Sequence, residues 1–206
     1  MTNKKLLIAD DHSIVRAGLA MIIESNLDNL QIDNADNYEQ TRELISHQKY
    51  DLLILDINIP GGIFKSMIKD LRILQEDLKI LVFSTYNEEI GVQYIMEGAN
   101  AFLSKTTPEE EIIHAISFLL NNNCYYTPQI LSKIGNQIET INLINKLSER
   151  ELEIFKLLAK GNGNIEISNI LKLKMSTIGT HKKKIFDKLQ IKTILELIRI
   201  NDGLQF

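Results

Sequence analysis

Four short segments of this 206-residue chain place a carboxylate, a hydroxyl or an amine at the end of an apolar run. Asp10-Asp11 follows the run from Lys5 to Ala9, and Asp56 follows the run from Asp51 to Leu55. Ser84-Thr85 follows Leu78 to Phe83, and Lys105 comes just after Ala101 to Leu103. Three carboxylates brought to one edge repel one another. A cation among them relieves that repulsion, and an all-oxygen donor set suits Mg²⁺. A carboxylate beside such an ion can attack phosphorus and form an aspartyl phosphate. Asp56 is the candidate, because Asn58, Pro60, Gly61 and Gly62 behind it form an open turn that leaves its carboxylate accessible. Lys105 and the Ser84 hydroxyl would bind the phosphoryl oxygens. Taken singly, each residue has a blander role: Asp10-Asp11 could cap a helix, and Lys105 could be a solvated surface lysine. The weight lies in their joint occurrence at four strand ends in this chain order.

The elements that must position these residues alternate. Strand signals at Lys5–Ala9, 30–32, Asp51–Leu55, 78–83 and 101–103 are separated by helical spacing from Ile14 onward and near 38–48, 63–75, 88–97 and 109–121. Pro108 followed by three glutamates suits a helix start, where the dipole favours acids. Such alternation predicts an α/β fold with a doubly wound, five-stranded parallel sheet, in which ligands bind outside the carboxyl ends of the strands. Residues 121–128 break the pattern. Thr127 and Pro128 can start one more helix, about 128–138, and the polar stretch to Lys146 reads as a partly helical linker.

The remainder is purely helical in pattern. Ser148 with Glu151 forms a capping box, Gly161 and Gly163 close that helix, and further helices follow at 164–171, 176–188 and 193–201. The tight 171–176 connection before a lysine-rich helix is the layout of a helix-turn-helix. The boundaries expected are 1–122, 123–145 and 146–206.

Charge divides the chain the same way. Residues 1–130 hold 10 basic and 19 acidic side chains, a net −9, and residues 131–206 hold 13 and 8, a net +5. Seven lysines and a single acid, Asp187, fall between Lys172 and Lys192. That excess is either a solvated helix face or a polyanion-binding surface. On a helical wheel Ile178, Ile185, Phe186 and Leu189 share the inner face, while Ser176, Thr180, Lys183, Lys184 and Asp187 face away. Lys182 falls near the apolar face and would have to snorkel. A helix of this kind fits the major groove with its N-terminal residues, Ser176, Thr177 and Thr180, nearest the bases. His181, Lys183, Lys184 and Lys188 would contact phosphates.

The segments Ile8-Ala9-Asp10-Asp11-His12, Leu55 to Gly61, Val82-Phe83-Ser84 and Phe102 to Lys105 resemble the receiver domain of bacterial response regulators. Residues 147–191 resemble the LuxR-type helix-turn-helix, so the chain as a whole is similar to the NarL/FixJ group of two-component response regulators. The resemblance implies a flavodoxin-like receiver and a smaller four-helix domain. It implies Asp56 as phosphoacceptor, with Mg²⁺ bound directly by Asp11 and Asp56, by Asp10 through water, and by the backbone carbonyl of Asn58. It implies a switch pair, Ser84 and Phe102. For Phe102 the plain alternative, a core ring, stays open. It implies a sensor histidine kinase as donor, double-stranded promoter DNA as target, and a homodimer on phosphorylation. Ile194, Leu197 and Ile198 of the last helix are the candidates for that dimer contact, with a purely internal packing role as the alternative. Three departures stand out. Ile63-Phe64-Lys65 replaces a glycine-rich loop. Lys174 replaces a capping serine, so that Ser176 could take over and shift the helix start. Gly179 stands where a base-contacting lysine is common, which makes Thr180 and Lys183 the expected base readers.

Other classes recede. Apolar runs such as Leu52–Leu55 are far short of the ~20 residues that span a bilayer. Four apolar residues before Asp10 are too few for a signal peptide. One cysteine, Cys124, can form neither an internal disulfide nor a zinc cluster, which fits a cytoplasmic setting. Two rival readings remain: a phosphatase with an aspartyl nucleophile, for which Asn58 lacks the acid function, and an interaction protein whose basic domain serves a partner regulator.

Overall fold

The computed structural model describes residues 4–63 and 66–204. Phe64 and Lys65, within the departure from a glycine-rich loop, lie outside the described residues. The first part of the chain runs β1 (Lys4–Ala9), α1 (Ser13–Asn26), β2 (Leu30–Ala35), α2 (Tyr38–His47), β3 (Leu52–Leu55), α3 (Met67–Leu74), β4 (Lys79–Ser84), α4 (Glu88–Met96), β5 (Ala101–Ser104) and α5 (Glu109–Asn121). Helices α6 (Pro128–Ile144), α7 (Glu149–Ala159), α8 (Asn164–Leu171), α9 (Met175–Leu189) and α10 (Ile194–Leu204) follow. Two compact units result, Met1–Lys133 and Ile134–Phe206.

The five strands are all parallel, in the order β2-β1-β3-β4-β5. Leu52–Leu55 is buried at every position, as a central parallel strand covered on both faces must be. Leu6, Ile8, Leu52, Ile54, Leu81 and Phe83 pack with Leu19 and Ile23 of α1 and Ile112, Ile116 and Leu119 of α5. Leu7, Leu53, Ile80 and Val82 alternate with them and are also buried, so they belong to the opposite face. Arg72 ties the β4 side of the sheet together: its guanidinium donates to the carbonyls of Glu76, Leu78 and Gly98 and to Asn100 Oδ1. Burial lowers its pKa, against the pull of Asp77 and Glu76.

The expected helix at 128–138 continues to Ile144, so most of the stretch read as a partly helical linker is one regular helix. Thr127 Oγ1 accepts the Ile130 N–H at its start. At its far end Leu143 and Ile144 pack on the core of the helical unit, tertiary support that polar composition did not foretell. That core is Ile154, Phe155 and Leu158 of α7, Ile167 of α8, Ile178, Ile185 and Leu189 of α9, and Leu197 of α10. The capping box is present at Ser148 and Glu151. Helix α7 stops at Gly161, whose φ of +85° an L side chain rarely adopts. The Asn162 N–H then reaches back to the Leu157 carbonyl at 3.2 Å, and the Gly161 N–H to that of Leu158 at 3.0 Å. Among the described residues no helix is long and apolar enough to cross a membrane.

Candidate functional site

Sheet register assembles the acidic pocket. Ala9 of β1 pairs with Leu55 of β3, so the next residues, Asp10 and Asp56, leave the sheet side by side. The Asp56 N–H donates to the Ala9 carbonyl at 2.8 Å, and the Asp10 N–H to that of Ala35 at 3.1 Å. Ser84 and Ser104 pair across β4 and β5, and the Lys105 N–H donates to the Ser84 carbonyl at 2.8 Å. These backbone bonds carry Lys105 to the same edge. Its Nζ lies 2.6 Å from Asp10 Oδ2 and 2.7 Å from Asp56 Oδ2.

Asp10 and Asp56 are each only 2 % exposed, whereas Asp11 is open to solvent; the expectation that the turn behind Asp56 leaves its carboxylate accessible is thereby corrected, because the Asn58 N–H and Lys105 close over it. Two buried carboxylates need compensation. Lys105 supplies one charge, and the remaining lone pairs find local donors. Asp10 Oδ1 accepts the His12 N–H at 2.9 Å, and Asp56 Oδ1 accepts the Asn58 N–H at 3.0 Å. Burial works against the Lys105 charge, but the hydrogen bonds and charges of Asp10 and Asp56 outweigh it and hold its pKa above the ordinary lysine value.

One residue of this cluster was not foreseen from the sequence. His12 Nδ1 lies 2.8 Å from Asp11 Oδ1 and 3.2 Å from Asp10 Oδ1. One potential ligand atom from each of Asp10, Asp11, His12 and Asp56 falls within 4.8 Å of the others. The only signal for it was its place directly after the paired acids. Neither acid is the first helix's cap; His12 holds that position, without a side-chain capping bond. Three carboxylates against one lysine leave an excess of negative charge, and the donors are mainly oxygens. That set fits a hard divalent cation such as Mg²⁺.

Ser84 is fully enclosed, and its Oγ accepts a long bond of 3.4 Å from the Tyr86 N–H. Its neighbour Thr85 is exposed. Phe102 is 2 % exposed, its ring lying against α4. Within the same unit, α6 begins on this face. Ile130 is 1 % exposed, Lys133 Nζ lies 3.0 Å from Glu89 Oε1 of α4, and Thr127, Gln129 and Ile130 share a small cavity with Phe102.

On the basic helix the wheel holds. Ile178, Ile185 and Leu189 of α9 are buried and Phe186 packs on the same core. Ser176, Thr180, Lys183, Lys184 and Asp187 are exposed, and Thr177 is half-buried. Lys182 lies over the Phe186 ring at 5.6 Å from its centroid, the snorkelling contact expected of it. A Cβ at Gly179 would meet nothing.

Four expectations about the helical domain need correction. Ser176 does not cap α9: Lys174 occupies the cap without a side-chain bond, and the Ser176 carbonyl, already inside the helix, accepts from Thr180 Oγ1 at 3.0 Å. His181 is half-buried, and its Nδ1 is enclosed with no hydrogen-bond partner among the described residues, so the ring does not simply project toward a backbone phosphate. Lys188 is not a free cation. Its Nζ sits 2.6 Å from Glu151 Oε2 and 3.0 Å from the Lys146 carbonyl, within its own domain. Leu197 is 0 % exposed and fills the core, so it is not presented to a second chain. Ile194 also packs on that core and Ile198 is half-buried, while Leu195, one residue after Ile194, is 70 % exposed.

Comparison with known proteins agrees with this geometry. Residues 6–117 match the response regulator receiver domain, and residues 145–201 match the LuxR family of bacterial regulatory proteins. The chain is 33 % identical over 207 residues to the oxygen regulatory protein NreC of Staphylococcus carnosus, with 94 % of each chain covered. Its fold is similar to that of the Salmonella typhimurium RcsB response regulator, with a TM-score of 0.76 at 21 % identity, covering 97 % of this chain and 100 % of that one. A structure of RcsB with DNA is similar at a TM-score of 0.66 and 22 % identity, covering 99 % and 100 %. The chain belongs to the two-component response regulators of the NarL/FixJ group, with a receiver domain followed by a LuxR-type helix-turn-helix domain.

Proposed function

We propose that this protein is a phosphorylation-controlled, DNA-binding transcription regulator, with Asp56 as the acceptor. A carboxylate oxygen of Asp56 attacks the phosphorus of a phosphohistidine on a sensor kinase. An O–P bond forms, the N–P bond breaks, and the imidazole leaves with the electron pair. The observation that carries this reading is the contact of Lys105 Nζ with both Asp10 and Asp56, which puts a cation beside the attacking oxygen. Mg²⁺, held by Asp11 and Asp56, by Asp10 through water and by the Asn58 carbonyl, would neutralise charge on the transferring group. Lys105 and the Ser84 hydroxyl bind phosphoryl oxygens, and the Phe102 ring follows the Ser84 loop. The modified receiver favours a homodimer, which sets two α9 helices on half-sites about one turn apart.

Asn58 supports an acceptor role over a phosphatase, since an amide cannot act as the general acid of hydrolysis. In α9, the exposed Lys183 and Lys184 beside Thr180 support contact with duplex DNA. RcsB, whose fold this chain shares, has been solved bound to DNA. The setting this implies is the cytoplasm.

The test is DNA binding by the full chain, with and without a small acyl-phosphate donor and Mg²⁺, alongside Asp56→Asn. Tighter binding on phosphorylation that Asp56→Asn abolishes is the expected result. Equal binding in all states would overturn Asp56 as the control. No binding in any state would move the basic domain to the second reading, a partner surface for another regulator, which Gly179, offering no side chain in α9, would favour.

A further inference from the structure

The turn between α8 and α9 is held from outside. Leu171 ends α8, and its carbonyl is one of the last-turn oxygens that a helix leaves without a partner of its own. Nη2 of Arg150, in the first turn of α7, donates to that oxygen at 3.1 Å, while Nη1 donates to Glu153 Oε2 at 2.5 Å. The next residue, Lys172, is left-handed, with φ +53° and ψ +43°, a conformation that is costly for a residue with a β-carbon. Leu173 is then tied back to α8 twice: its N–H donates to the Ser168 carbonyl at 3.1 Å, and its carbonyl accepts from Ser168 Oγ at 2.5 Å. Lys174 caps α9 with no side-chain bond of its own, so the direction in which α9 starts depends on these contacts.

Direction matters in α9 because few side chains are there to read bases. Gly179 offers none, which leaves Thr180 and Lys183. Lys183 lies about 12 Å along the helix from Met175. A tilt of about 5° at the turn carries it sideways by about 1 Å. Hydrogen-bond lengths span only about 0.5 Å, so that tilt is enough to lose one. A guanidinium resists such a tilt better than a point charge does. Its planar fork holds Glu153 and Leu171 at once, in directions that an ammonium cannot copy.

We propose that Arg150 is a positioning residue for DNA recognition: it braces the α8–α9 turn against α7 and so fixes the direction in which α9 presents Thr180 and Lys183. This rests on the DNA-binding reading of α9 given above and names a residue outside the helix-turn-helix that sets its specificity. In this role Arg150 acts through the turn and not by contact with DNA. A residue that only stabilised the fold would lower every DNA affinity in the same proportion. One that aims the helix lowers affinity for the preferred sequence and spares the sequence-independent attraction of the phosphates.

The test uses the full chain, with the acyl-phosphate donor and Mg²⁺ present, and two duplexes. One is recovered from a random-sequence pool by selection with the wild-type protein, and the other is a scrambled duplex of the same composition. In Arg150→Ala the ratio of the two affinities should fall about tenfold, the weight of about one base contact, with the slope of log affinity against log salt unchanged on the scrambled duplex. Arg150→Lys keeps the charge but not the fork, and its ratio should fall as well. In the free protein the Leu173 amide should exchange with solvent about tenfold faster, relative to the Ile185 amide in the middle of α9, in both variants. A ratio that stays at the wild-type value in Arg150→Ala overturns the proposal, since both affinities would then change together as for any loss of stability. A salt slope lower by about 1 overturns it too, because Arg150 would be a phosphate contact. So does a wild-type ratio in Arg150→Lys, or an unchanged Leu173 rate. If Arg150→Ala does not fold, Arg150→Lys decides by the same readings. A wild-type protein that selects no duplex would sink the proposed function, and Leu173 exchange, which needs no DNA, would still decide whether Arg150 braces the turn.

Discussion

Lys188 Nζ, near the end of α9, lies 2.6 Å from Oε2 of Glu151 in the first turn of α7, across 37 residues of sequence. Glu151 also accepts from the Ser148 N–H at 2.8 Å, so one carboxylate closes a helix cap and binds a lysine of the recognition helix. The hydrogen bond from Lys188, followed by that from the Ser148 backbone, pulls the Glu151 pKa down from 4.5 to about 2. A depressed acid stabilises the fold above its unfolded pKa and loses that contribution as pH falls through the folded value. The helical domain is therefore expected to weaken between about pH 4.5 and pH 2. Glu151→Ala should cost about 2 kcal/mol at neutral pH, from the lost cap and charged hydrogen bonds. Glu151→Gln should flatten the acid limb. Urea midpoints of the full chain against pH check both.

The same pair separates the lysines of α9 into two kinds. Lys183→Ala and Lys184→Ala should each weaken DNA binding and reduce the slope of log affinity against log salt by about 1, with little change in melting temperature. Lys188→Ala should do the reverse, lowering the melting temperature and leaving the salt slope alone. A Lys188→Ala slope that falls as far as the other two would show the ion pair opening on DNA.

Removing Lys105 leaves Asp10 and Asp56 without their shared cation in a site where each is nearly enclosed. Lys105→Met should destabilise the receiver by about 3 kcal/mol, the usual scale for stranding buried charge. Millimolar Mg²⁺ should restore much of it, since a divalent ion supplies the missing charge. Thermal melts with Mg²⁺ and with EDTA read this directly; a deficit indifferent to Mg²⁺ would argue that the lysine serves packing alone.

Leu195 and Leu197 give opposite predictions from the same helix. Leu197→Ala opens a cavity in the core and should cost about 3 kcal/mol of domain stability. Leu195→Ala should leave stability almost unchanged and weaken self-association if α10 forms the dimer contact. Sedimentation of the phosphorylated protein distinguishes them.

Arg72 offers a test away from any site. Its guanidinium makes four hydrogen bonds to carbonyl and amide oxygens in a fork that lysine cannot copy. Arg72→Lys should lower stability by about 2 kcal/mol and leave phosphorylation of Asp56 intact.

The sheet and its pocket were legible because parallel strands covered on both faces are nearly continuous apolar runs, and chemistry in such folds collects at the residue after each run. Asp56 after Leu55 and Lys105 after Ser104 needed no more than that. Lys188 was misread because its charge looks like that of Lys183 and Lys184, and its partner is distant in sequence. Leu197 was misread because an apolar residue on a final helix can face inward or outward, and only the packing of α7 against α10 decides. Helix α6 outran its expected end at 138 because Leu143 and Ile144 are held by contacts outside the helix, which no local propensity records. His12 escaped notice because its role depends on how a loop turns its ring back toward Asp11.

Chain order also sets when each strand becomes available to the sheet during synthesis. β1 lies inside the sheet, between β2 and β3, and β5 is the last strand to add. On a chain emerging from its N-terminus this edge strand arrives last of the five. β5 carries Phe102 and delivers Lys105. A growing chain that has placed β1 and β3 already holds Asp10 and Asp56 together, with no lysine yet between them. Until residue 105 docks, ambient divalent ions are the natural counter-charge, so the free concentration of such ions should govern how readily the newborn receiver closes.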